Sequence, residues 1–481
     1  MSDYSVIDIA SVPRFDDEAD VVIVGLGSAG TCAAIEAAEA GADVLVLERA
    51  SGGGGTTMSA AGHLYMGGGT RVQKAVGVED DVEDMFKYLM AVTPEPDEKK
   101  IRLYCDESVA HFDWLVAQGV PFEDSWHREK NVVQMTTECL IESGNEAAYP
   151  YVEIAKPAPR GHKVAVEGEA GGPKLIEVLT KRCEELGVRI SVDCAVRSLV
   201  RDGERIVGVG YRTTEGERYA RARKGVILAA GQFGMNEEMV KAHCKNLADD
   251  RVVKQGSAYD DGAGHQLGAA AGGVLDHMEG NLVTSPWYPP ECLIKGILVN
   301  REGRRFVNED SYHSKSSILC LEQPEGIAYL IADDSFFERP LFGWQELIDA
   351  WDTVAAMEKD LGIPEGQLQK TIADYNEHAA RGEDPEFHKA AKWLTPLVNP
   401  PFAALDLRVG HAQYVGFPLG GLRVDVDARV LREDGSVIEG LYAAGGCASN
   451  IAQDGVGYSS GTCIGEATFF GRRAGRHVAG S

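Results

Sequence analysis

The chain has 481 residues, of which 44% are hydrophobic and 25% are charged, so it has the composition of a globular protein and the length for two sizeable cores. Its formal net charge is −27 at pH 7. Nucleic acids and anionic membrane surfaces are polyanions that attract basic faces, so neither is an expected partner, and the charge indicates a solvated acidic surface.

The cysteines and the N-terminus bear on where the protein works. The ten cysteines are scattered from Cys32 to Cys463 without a CxxC pair, so we predict neither a zinc site nor a disulfide framework. The first 20 residues are acidic and lack the basic-then-apolar pattern of a secretory signal. No run of about 18 uninterrupted apolar residues occurs, so no membrane span is expected. These features predict an untargeted, cytoplasmic protein.

A βαβ unit is predicted near the start of the chain. Residues 20–25, DVVIVG, have the pattern of a short buried strand, an alanine-rich helix follows, and a second buried strand ends at Glu48. Gly25 allows a tight turn, Gly27 lets the backbone approach a pyrophosphate, and Gly30 lets helix and strand pack closely. The helix N-terminus offers unpaired N–H groups to the anion, and Glu48 can accept hydrogen bonds from a ribose. The segment therefore predicts a dinucleotide site.

Three segments rich in small residues, each able to bring the backbone close to a cofactor, favour FAD over a nicotinamide cofactor. A glycine-rich run at 48–69 can surround the ribityl chain and flavin, and residues 225–234 and 440–448 are apolar strands that run into small residues. A long cofactor that crosses one domain needs several such approaches, so we predict non-covalently bound FAD. The predicted cofactor-binding residues are Gly25, Gly27, Ser28, Ala29, Gly30, Glu48, Arg49, Thr56, Thr57, Met58, Gly62, Val196, Ala230, Gly231, Asp261, Gly445, Gly446, Ser460, Gly461 and Ile464.

The middle of the chain predicts scaffold elements. Helical spacing indicates helices over residues 100–119 and 173–187. Short strands separated by turn signals predict a β-meander over 194–230. The segment GAGHQLG, residues 262–268, predicts the start of a helix rather than a second nucleotide fingerprint. Direct use of NADPH is therefore disfavoured, and an external electron acceptor or donor of unknown identity is implied.

A second domain is predicted where the composition changes. Proline and tryptophan appear in SPWYPP, helices with charged faces follow, and NPPF at 399–402 marks the return. We predict an FAD-binding domain formed by residues 1–280 and 405–481, with a cap domain inserted over 281–404.

The stretch GVGYSSG, residues 455–461, places a phenol and a hydroxyl just before the last predicted helix, Gly461 to Gly475. A free tyrosine titrates at about 10. Tyr458 is therefore a useful base only if hydrogen-bond donors and positive potential favour its phenolate. Ser460 and the helix N-terminus, which carries roughly half a positive charge, can provide both. Serine is also a typical N-cap, and Tyr458 could be a packed aromatic side chain.

Seven segments in this order resemble the flavoprotein superfamily of fumarate reductases and 3-ketosteroid dehydrogenases: VVIVGLGSAG, ILAAGQFG, DDGAGHQLGAAAGG, GRRFVNED, FPLGGLRVD, GLYAAGGCAS and GYSSGTCIGEATFFGRRAG. The resemblance covers nearly the whole chain. It implies an α/β fold, with a Rossmann-like FAD-binding domain of the glutathione-reductase type that contains a β-meander. The same resemblance implies an inserted α+β cap of the fumarate-reductase type.

Within that superfamily, the resemblance points to the 3-ketosteroid Δ4-dehydrogenases. Fumarate reductases carry an arginine proton donor shortly after RFVNE, whereas residues 304–317 contain no arginine after Arg305 here. Phe417, in FPLGG, stands near the position of a histidine that holds dicarboxylates in those enzymes. In the Δ4-dehydrogenases a cap tyrosine joins a Tyr-x-Ser before the last helix, and Tyr312, Tyr458 and Ser460 match those positions. The alternatives are a Δ1-dehydrogenase, a fumarate- or urocanate-type reductase of an unsaturated acid, and a flavin-binding subunit for electron transfer.

The resemblance implies removal of an α-proton and of a β-hydride from a steroid substrate next to its ketone. Tyr458 is the expected base, Ser460 supports its deprotonation, and Tyr312 hydrogen-bonds the substrate or the phenolate; Tyr312 as the base is the rival assignment. His63, His313 and His411 lie near flavin-facing segments but have no metal-binding spacing. The oligomeric state, monomer or small homo-oligomer, is left open.

Overall fold

The computed structural model describes residues 4–480. Its strands are β1 (Ser5–Asp8), β2 (Asp17–Val24), β3 (Val44–Leu47), β4 (His63–Tyr65), β5 (Leu140–Ile141), β6 (Gly161–Lys163), β7 (Arg189–Ser191), β8 (Ala195–Asp202), β9 (Arg205–Thr213), β10 (Gly216–Leu228), β11 (Val252–Lys254), β12 (Leu275–Asp276), β13 (Asn281–Thr284), β14 (Ile297–Asn300), β15 (Ala328–Asp333), β16 (Leu347–Trp351), β17 (Phe402–Asp406), β18 (Tyr414–Pro418), β19 (Gly421–Arg423), β20 (Arg429–Leu431), β21 (Val437–Ala443) and β22 (Ala448–Ser449).

The α-helices are α1 (Ser28–Glu39), α2 (Arg71–Ala75), α3 (Val82–Val92), α4 (Glu98–Ala117), α5 (Gly171–Glu185), α6 (Glu237–His243), α7 (Ala263–Ala270), α8 (His313–Leu321), α9 (Val354–Asp360), α10 (Gln367–Ala379) and α11 (Thr462–Gly480). Within residues 4–480, no helix combines the length and apolar character that crossing a membrane requires.

The predicted βαβ unit is confirmed in β2, α1 and β3, and β2 pairs in parallel with β3. The last four residues of β2 and all of β3 are buried, as a strand covered on both faces requires. A Cβ atom at Gly30 would lie 2.1 Å from the carbonyl oxygen of Gly25. Only glycine therefore lets α1 pack this closely on the turn that precedes it.

The central sheet has nine strands, and its order is β1-β8-β9-β10-β2-β3-β7, with β21 paired to β10 and β20 paired to β21. Strands β8, β9 and β10 are successively antiparallel and form the predicted meander. The predicted helices over 100–119, 173–187 and 262–268 correspond to α4, α5 and α7.

Three parallel strands meet at one edge of this sheet. Leu228 at the end of β10 is in register with Val24 of β2 on one side and Ala443 of β21 on the other. The three chains therefore leave the sheet side by side, at Gly25, Ala229 and Ala444. Ligands of open α/β sheets bind outside the carboxyl ends of parallel strands.

The inserted segment builds a smaller sheet of its own. Its strands follow the order β14-β15-β17-β16 and are all antiparallel, and α9 contacts α10 and β16. Strand β17 ends at Asp406, two residues beyond the predicted end of the cap at 404. We propose the division into an FAD-binding domain and a cap on these separate sheets, with the return placed after β17.

Buried charges hold the cap together. Arg305 forms ion pairs with Glu309 at 2.8 Å and with Asp384 at 2.9 Å, and Lys389 lies 3.3 Å from Glu309. These side chains are at most 3% exposed, so each charge depends on its partners rather than on water. The ion pairs lower the pKa of both carboxyl groups against the opposing effect of burial.

We expect Glu309→Gln to lower the free energy of unfolding by about 3–5 kcal/mol, because it leaves two buried cations with one carboxylate. Denaturant titration of the holoprotein measures this change. The control is Asp374→Asn, which breaks an exposed pair with Lys370 and should cost less than about 1 kcal/mol. Equal effects of the two substitutions would contradict a structural role for the buried cluster.

Candidate active site

A cavity of about 440 Å³ opens at the edge where β2, β10 and β21 end. This volume lies within the range of small-molecule and cofactor sites. The cavity walls also include residues of the inserted segment, among them Thr284, Pro286, Tyr312 and Trp344. One continuous space therefore connects the dinucleotide-binding sheet with the cap.

Most of the predicted cofactor-binding residues lie on the wall of this cavity: Gly25, Gly27, Ser28, Ala29, Glu48, Arg49, Thr56, Thr57, Gly62, Val196, Ala230, Gly231, Gly445, Gly446, Ser460, Gly461 and Ile464. Three predicted residues lie off it. Gly30 packs on the Gly25 turn, Met58 is 44% exposed on the surface, and Asp261 hydrogen-bonds the Arg49 guanidinium at 2.5 Å. Asp261 can therefore position Arg49.

The start of α1 fits a pyrophosphate. Gly27 is the N-cap residue of α1 and provides no side chain to cap the first N–H groups. A Cβ atom at Gly27 would have only the carbonyl oxygen of Gly54 within 4 Å, at 3.7 Å. The backbone is therefore open on the cavity side, and unpaired N–H groups at the positive end of a helix bind phosphates.

Glu48 fits the predicted ribose contact. Its two carboxylate oxygens accept hydrogen bonds at 2.8 Å from the backbone N–H groups of Leu26 and Ala50. These bonds hold the carboxylate at the cavity wall, and each oxygen keeps a further lone pair for a hydroxyl group.

The small-residue segments at 225–234 and 440–448 pack against the start of α1 and against each other. A Cβ atom at Gly445 would lie 3.0 Å from the Cβ of Ala29, and a Cβ atom at Gly446 would lie 3.0 Å from the carbonyl carbon of Gly231. Larger residues would separate these segments, so the small side chains keep three backbone stretches around one narrow space. The donors and the shape fit an extended dinucleotide such as FAD.

The three predicted catalytic residues come together beside that space. The Tyr312 and Ser460 hydroxyl groups are hydrogen-bonded to each other, although 148 residues separate them in the chain. Tyr312 and Tyr458 pack in one apolar cluster with Leu282 and Leu419, and all four line the cavity. The ring of Phe417 meets Tyr458 edge-on, with centroids 6.3 Å apart.

The hydrogen bonds differ from the prediction in one respect. Ser460 was expected to support Tyr458, but its hydroxyl is hydrogen-bonded to that of Tyr312. The neighbour that acts on the Tyr458 hydroxyl is the Cys463 side chain. Ser460 is also not the N-cap of α11, because α11 begins at Thr462 and the Thr462 N–H donates to the carbonyl of Ser459.

Burial makes both phenolates costly. It raises the pKa of Tyr458 well above the ordinary tyrosine value, and the neighbouring Cys463 adds to this effect. Burial also raises the pKa of Tyr312, and the hydrogen bond from Ser460 opposes part of that rise. Ser460 therefore stabilises negative charge on Tyr312 in this arrangement.

The glycines around Tyr458 are explained by close contacts. A Cβ atom at Gly457 would lie 1.8 Å from the carbonyl oxygen of Val92 at the end of α3. Gly461 has a φ of +94°, and a Cβ atom there would lie 2.7 Å from the backbone of Leu64 and Tyr65. Glycine on each side thus lets the Tyr458 segment press against α3 and β4.

Two histidines that carry no recognisable motif also line the cavity. Burial lowers the pKa of His63 to about 4 and that of His313 to about 3, so both are neutral at physiological pH. His313 shares a hydrogen bond with Thr284 at 2.5 Å, and His63 shares one with Gln134 at 3.1 Å. His411, in contrast, is 58% exposed at its side chain and faces Asp406.

Other wall residues were missed because an apolar side chain has no signature of its own in the sequence. They include Val132, Val133, Pro286, Trp344, Val415 and Leu419. Tyr65, Trp287 and Tyr288 are buried core residues outside the wall.

Parallel strands with a glycine-rich turn after the first, an acidic residue after the second and a cavity across their ends are the features of a dinucleotide-binding fold. The family model "FAD binding domain" matches residues 20–463, and the chain belongs to this family. FAD is its cofactor.

Known proteins resemble the chain over nearly its whole length. The crystal structure of 3-ketosteroid Δ4-(5α)-dehydrogenase from Rhodococcus jostii, in complex with 4-androstene-3,17-dione, is 41% identical and covers 99% of both chains with a TM-score of 0.93. A 3-oxo-5-alpha-steroid 4-dehydrogenase of Comamonas testosteroni is 29% identical over 92% of this chain and 95% of its own. The urocanate reductase of Eggerthella lenta is 29% identical over 96% of this chain and 75% of its own.

We expect Gly27→Ala to weaken FAD binding by about tenfold or more, since the added methyl group occupies the space that the pyrophosphate needs. The backbone at Gly27 has a φ of −88°, which alanine adopts freely, so the apoprotein should keep its melting temperature. Titration of apoprotein with FAD, followed by flavin fluorescence, measures the affinity.

Gly30→Ala is the contrasting variant, because its methyl group would collide with the Gly25 carbonyl and should lower the melting temperature even without FAD. An unchanged FAD affinity in Gly27→Ala would show that no phosphate approaches this turn.

Proposed function

We propose that this protein is an FAD-dependent oxidoreductase that introduces the C4–C5 double bond of a 3-ketosteroid, or reduces that bond in the reverse direction. The observation that carries the proposal is the meeting of Tyr312, Tyr458 and Ser460 on an apolar extension of the FAD cavity. The Rhodococcus structure, which shares the fold at a TM-score of 0.93, contains a 3-ketosteroid with this double bond.

The cavity next to the tyrosines suits a steroid. Leu282, Phe417 and Leu419 surround Tyr312 and Tyr458 in one cluster, and they offer a steroid nucleus an apolar surface. Burial of that nucleus is favourable at about 25 cal/mol for each Å² of apolar area removed from water. The hydroxyl groups are the polar exceptions and can orient the ketone end of the substrate.

The alternative of a dicarboxylate substrate would require a cationic side chain beside the tyrosines, and the arginines of this region are bonded elsewhere. Arg305, the last arginine of the RRFVNE segment, is bound to Glu309 and Asp384 and does not line the cavity. The two arginines on the wall, Arg49 and Arg197, are hydrogen-bonded to Asp261 and Tyr4 respectively. A small dianion would therefore lose its hydration without an equivalent charge beside the tyrosines.

Bound FAD supplies the acceptor for the hydride that leaves C5. The protein must remove the proton from C4, and we assign its acceptance to the phenolic oxygen of Tyr458. A free phenolate is costly in this buried place, so the Ser460–Tyr312 pair is assigned to stabilise the negative charge or to carry the proton onward. Helix α11 begins two residues after Ser460, and its positive end favours negative charge at these hydroxyls.

We expect a saturated 3-ketosteroid, mixed anaerobically with the purified oxidised holoprotein, to bleach the flavin absorbance, whereas succinate leaves it unchanged. Product analysis should then place the new double bond between C4 and C5. In Tyr458→Phe we expect bound FAD but a loss of at least about 100-fold in the reduction rate, because a positioned acid–base group contributes that much or more.

Three results would count against this proposal. Bleaching by succinate alone would favour the unsaturated-acid alternative, and a product unsaturated between C1 and C2 would favour the Δ1 alternative. Undiminished reduction of Tyr458→Phe would remove Tyr458 as the base, and parallel measurement of Tyr312→Phe would then test the rival assignment.

We expect Ser460→Ala to move the rising limb of the rate–pH profile to higher pH. Tyr312 is the hydroxyl assigned to share the negative charge that develops at Tyr458, and the Ser460 hydrogen bond lowers the pKa of Tyr312. Removing that bond raises the pKa of Tyr312, so a more alkaline solution is needed for the same stabilising charge. A hydrogen bond to a charged group contributes about 1.5–3 kcal/mol, which corresponds to a shift of about one to two pH units. Stopped-flow reduction over a pH series measures the limb, and an unmoved limb with a lower plateau would exclude this role for Ser460.

A further inference from the structure

The loop after β5 lies behind the catalytic tyrosines and contains Asn145, which is fully buried and lies outside the cavity wall. The side-chain oxygen of Asn145 accepts a hydrogen bond from the backbone N–H of Tyr312 at 2.8 Å. Its side-chain nitrogen donates to the carbonyl of Val456 at 3.3 Å. A single amide therefore joins the cap tyrosine to the segment that carries Tyr458 and Ser460.

The same loop makes further contacts with that segment. The carbonyl of Ser143 accepts a hydrogen bond from the backbone N–H of Ser460 at 2.7 Å. The backbone N–H of Asn145 donates to the Tyr88 hydroxyl at 2.8 Å, and that hydroxyl lies 3.0 Å from the Ser459 hydroxyl. Residues 143–145, here called the bracket, are thus bonded to both sides of the Tyr312–Ser460 contact.

Close packing restricts the movement of the bracket. A Cβ atom at Gly144 would lie 2.1 Å from the Ser459 hydroxyl oxygen and 2.7 Å from the Tyr88 hydroxyl oxygen. The bracket and the Tyr458 segment are therefore in direct contact at the backbone. Close-packed groups of this kind move together rather than independently.

We propose that Asn145 is a positioning residue for the steroid reaction proposed above, and that its amide holds the Tyr312 and Ser460 hydroxyl groups in contact. Tyr312 is the N-cap residue of α8 in the inserted segment, whereas Ser460 precedes α11, so their separation depends on how the cap meets the C-terminal segment. An amide can donate on one side and accept on the other, which matches the Val456 carbonyl and the Tyr312 N–H.

The test compares Asn145→Ala with wild type as FAD-loaded full-length proteins. We expect kcat for 3-ketosteroid oxidation to fall about 100-fold, since a displacement of about 1 Å in a reacting group costs this much. KM should change less than about threefold, because the apolar wall that binds the substrate is untouched. A loss of folded protein alone would reduce the amount of active enzyme. It would leave kcat unchanged when rates are expressed per bound FAD, so it would not produce this split between kcat and KM.

Asn376→Ala is the matched control. The Asn376 side chain makes the same two kinds of bond, donating to the Leu397 carbonyl at 2.8 Å and accepting from the Leu397 N–H at 2.7 Å, but it lies in the cap away from the cavity. This control should keep the wild-type kcat. Asn145→Asp retains the acceptor for Tyr312 and loses the donor to Val456, so its kcat should lie between wild type and Asn145→Ala.

If Asn145→Ala yields no folded holoprotein, Asn145→Asp decides in its place, and a wild-type kcat there overturns the inference. If the wild-type protein itself oxidises no steroid, the proposed function fails, and crystal structures of wild type and variant test the positioning alone. Separation of the Tyr312 and Ser460 oxygens beyond about 3.5 Å in the variant supports the inference. An unchanged contact overturns it.

Discussion

The parallel pairing of β2, β10 and β21 is the constraint on which the rest of the site depends. Because Val24, Leu228 and Ala443 are in register, three chain segments leave the sheet together and each continues into small residues. Their backbones can then approach one ligand from three directions. A shift in register would separate the three turns that follow these strands, so the pairing of the sheet and the shape of the cavity have the same origin.

The catalytic chemistry has to work within a buried environment. Burial raises the pKa of Tyr312 and Tyr458, whereas the Ser460 hydroxyl and the start of α11 favour negative charge at the same place. The balance explains why a hydroxyl and a helix N-terminus accompany the phenols. In a more open site water would stabilise the phenolate, but the apolar cluster proposed to bind the steroid would be lost.

The site also depends on two parts of the chain that are distant in sequence. The cap is held together by buried ion pairs around Arg305, and its α8 brings Tyr312 to the cavity. The C-terminal segment brings Tyr458 and Ser460, pressed against α3 and β4 through glycine contacts. The bracket at 143–145 bonds to both and lies outside the cavity wall, so we infer that a loop behind the cavity sets the geometry of the hydroxyl contact.

The sequence by itself determined the βαβ unit, the meander, the last helix, and the residue types of the site, because helix and strand periodicity and the need for glycine at close approaches are local properties. Only the tertiary structure decided that Ser460 bonds Tyr312 rather than Tyr458, that Met58 and Asp261 lie off the cavity, and that β17 extends the cap to Asp406. It alone revealed the apolar wall and Asn145. Such contacts join residues separated by many positions, and a single sequence carries no local signal of which distant groups will meet.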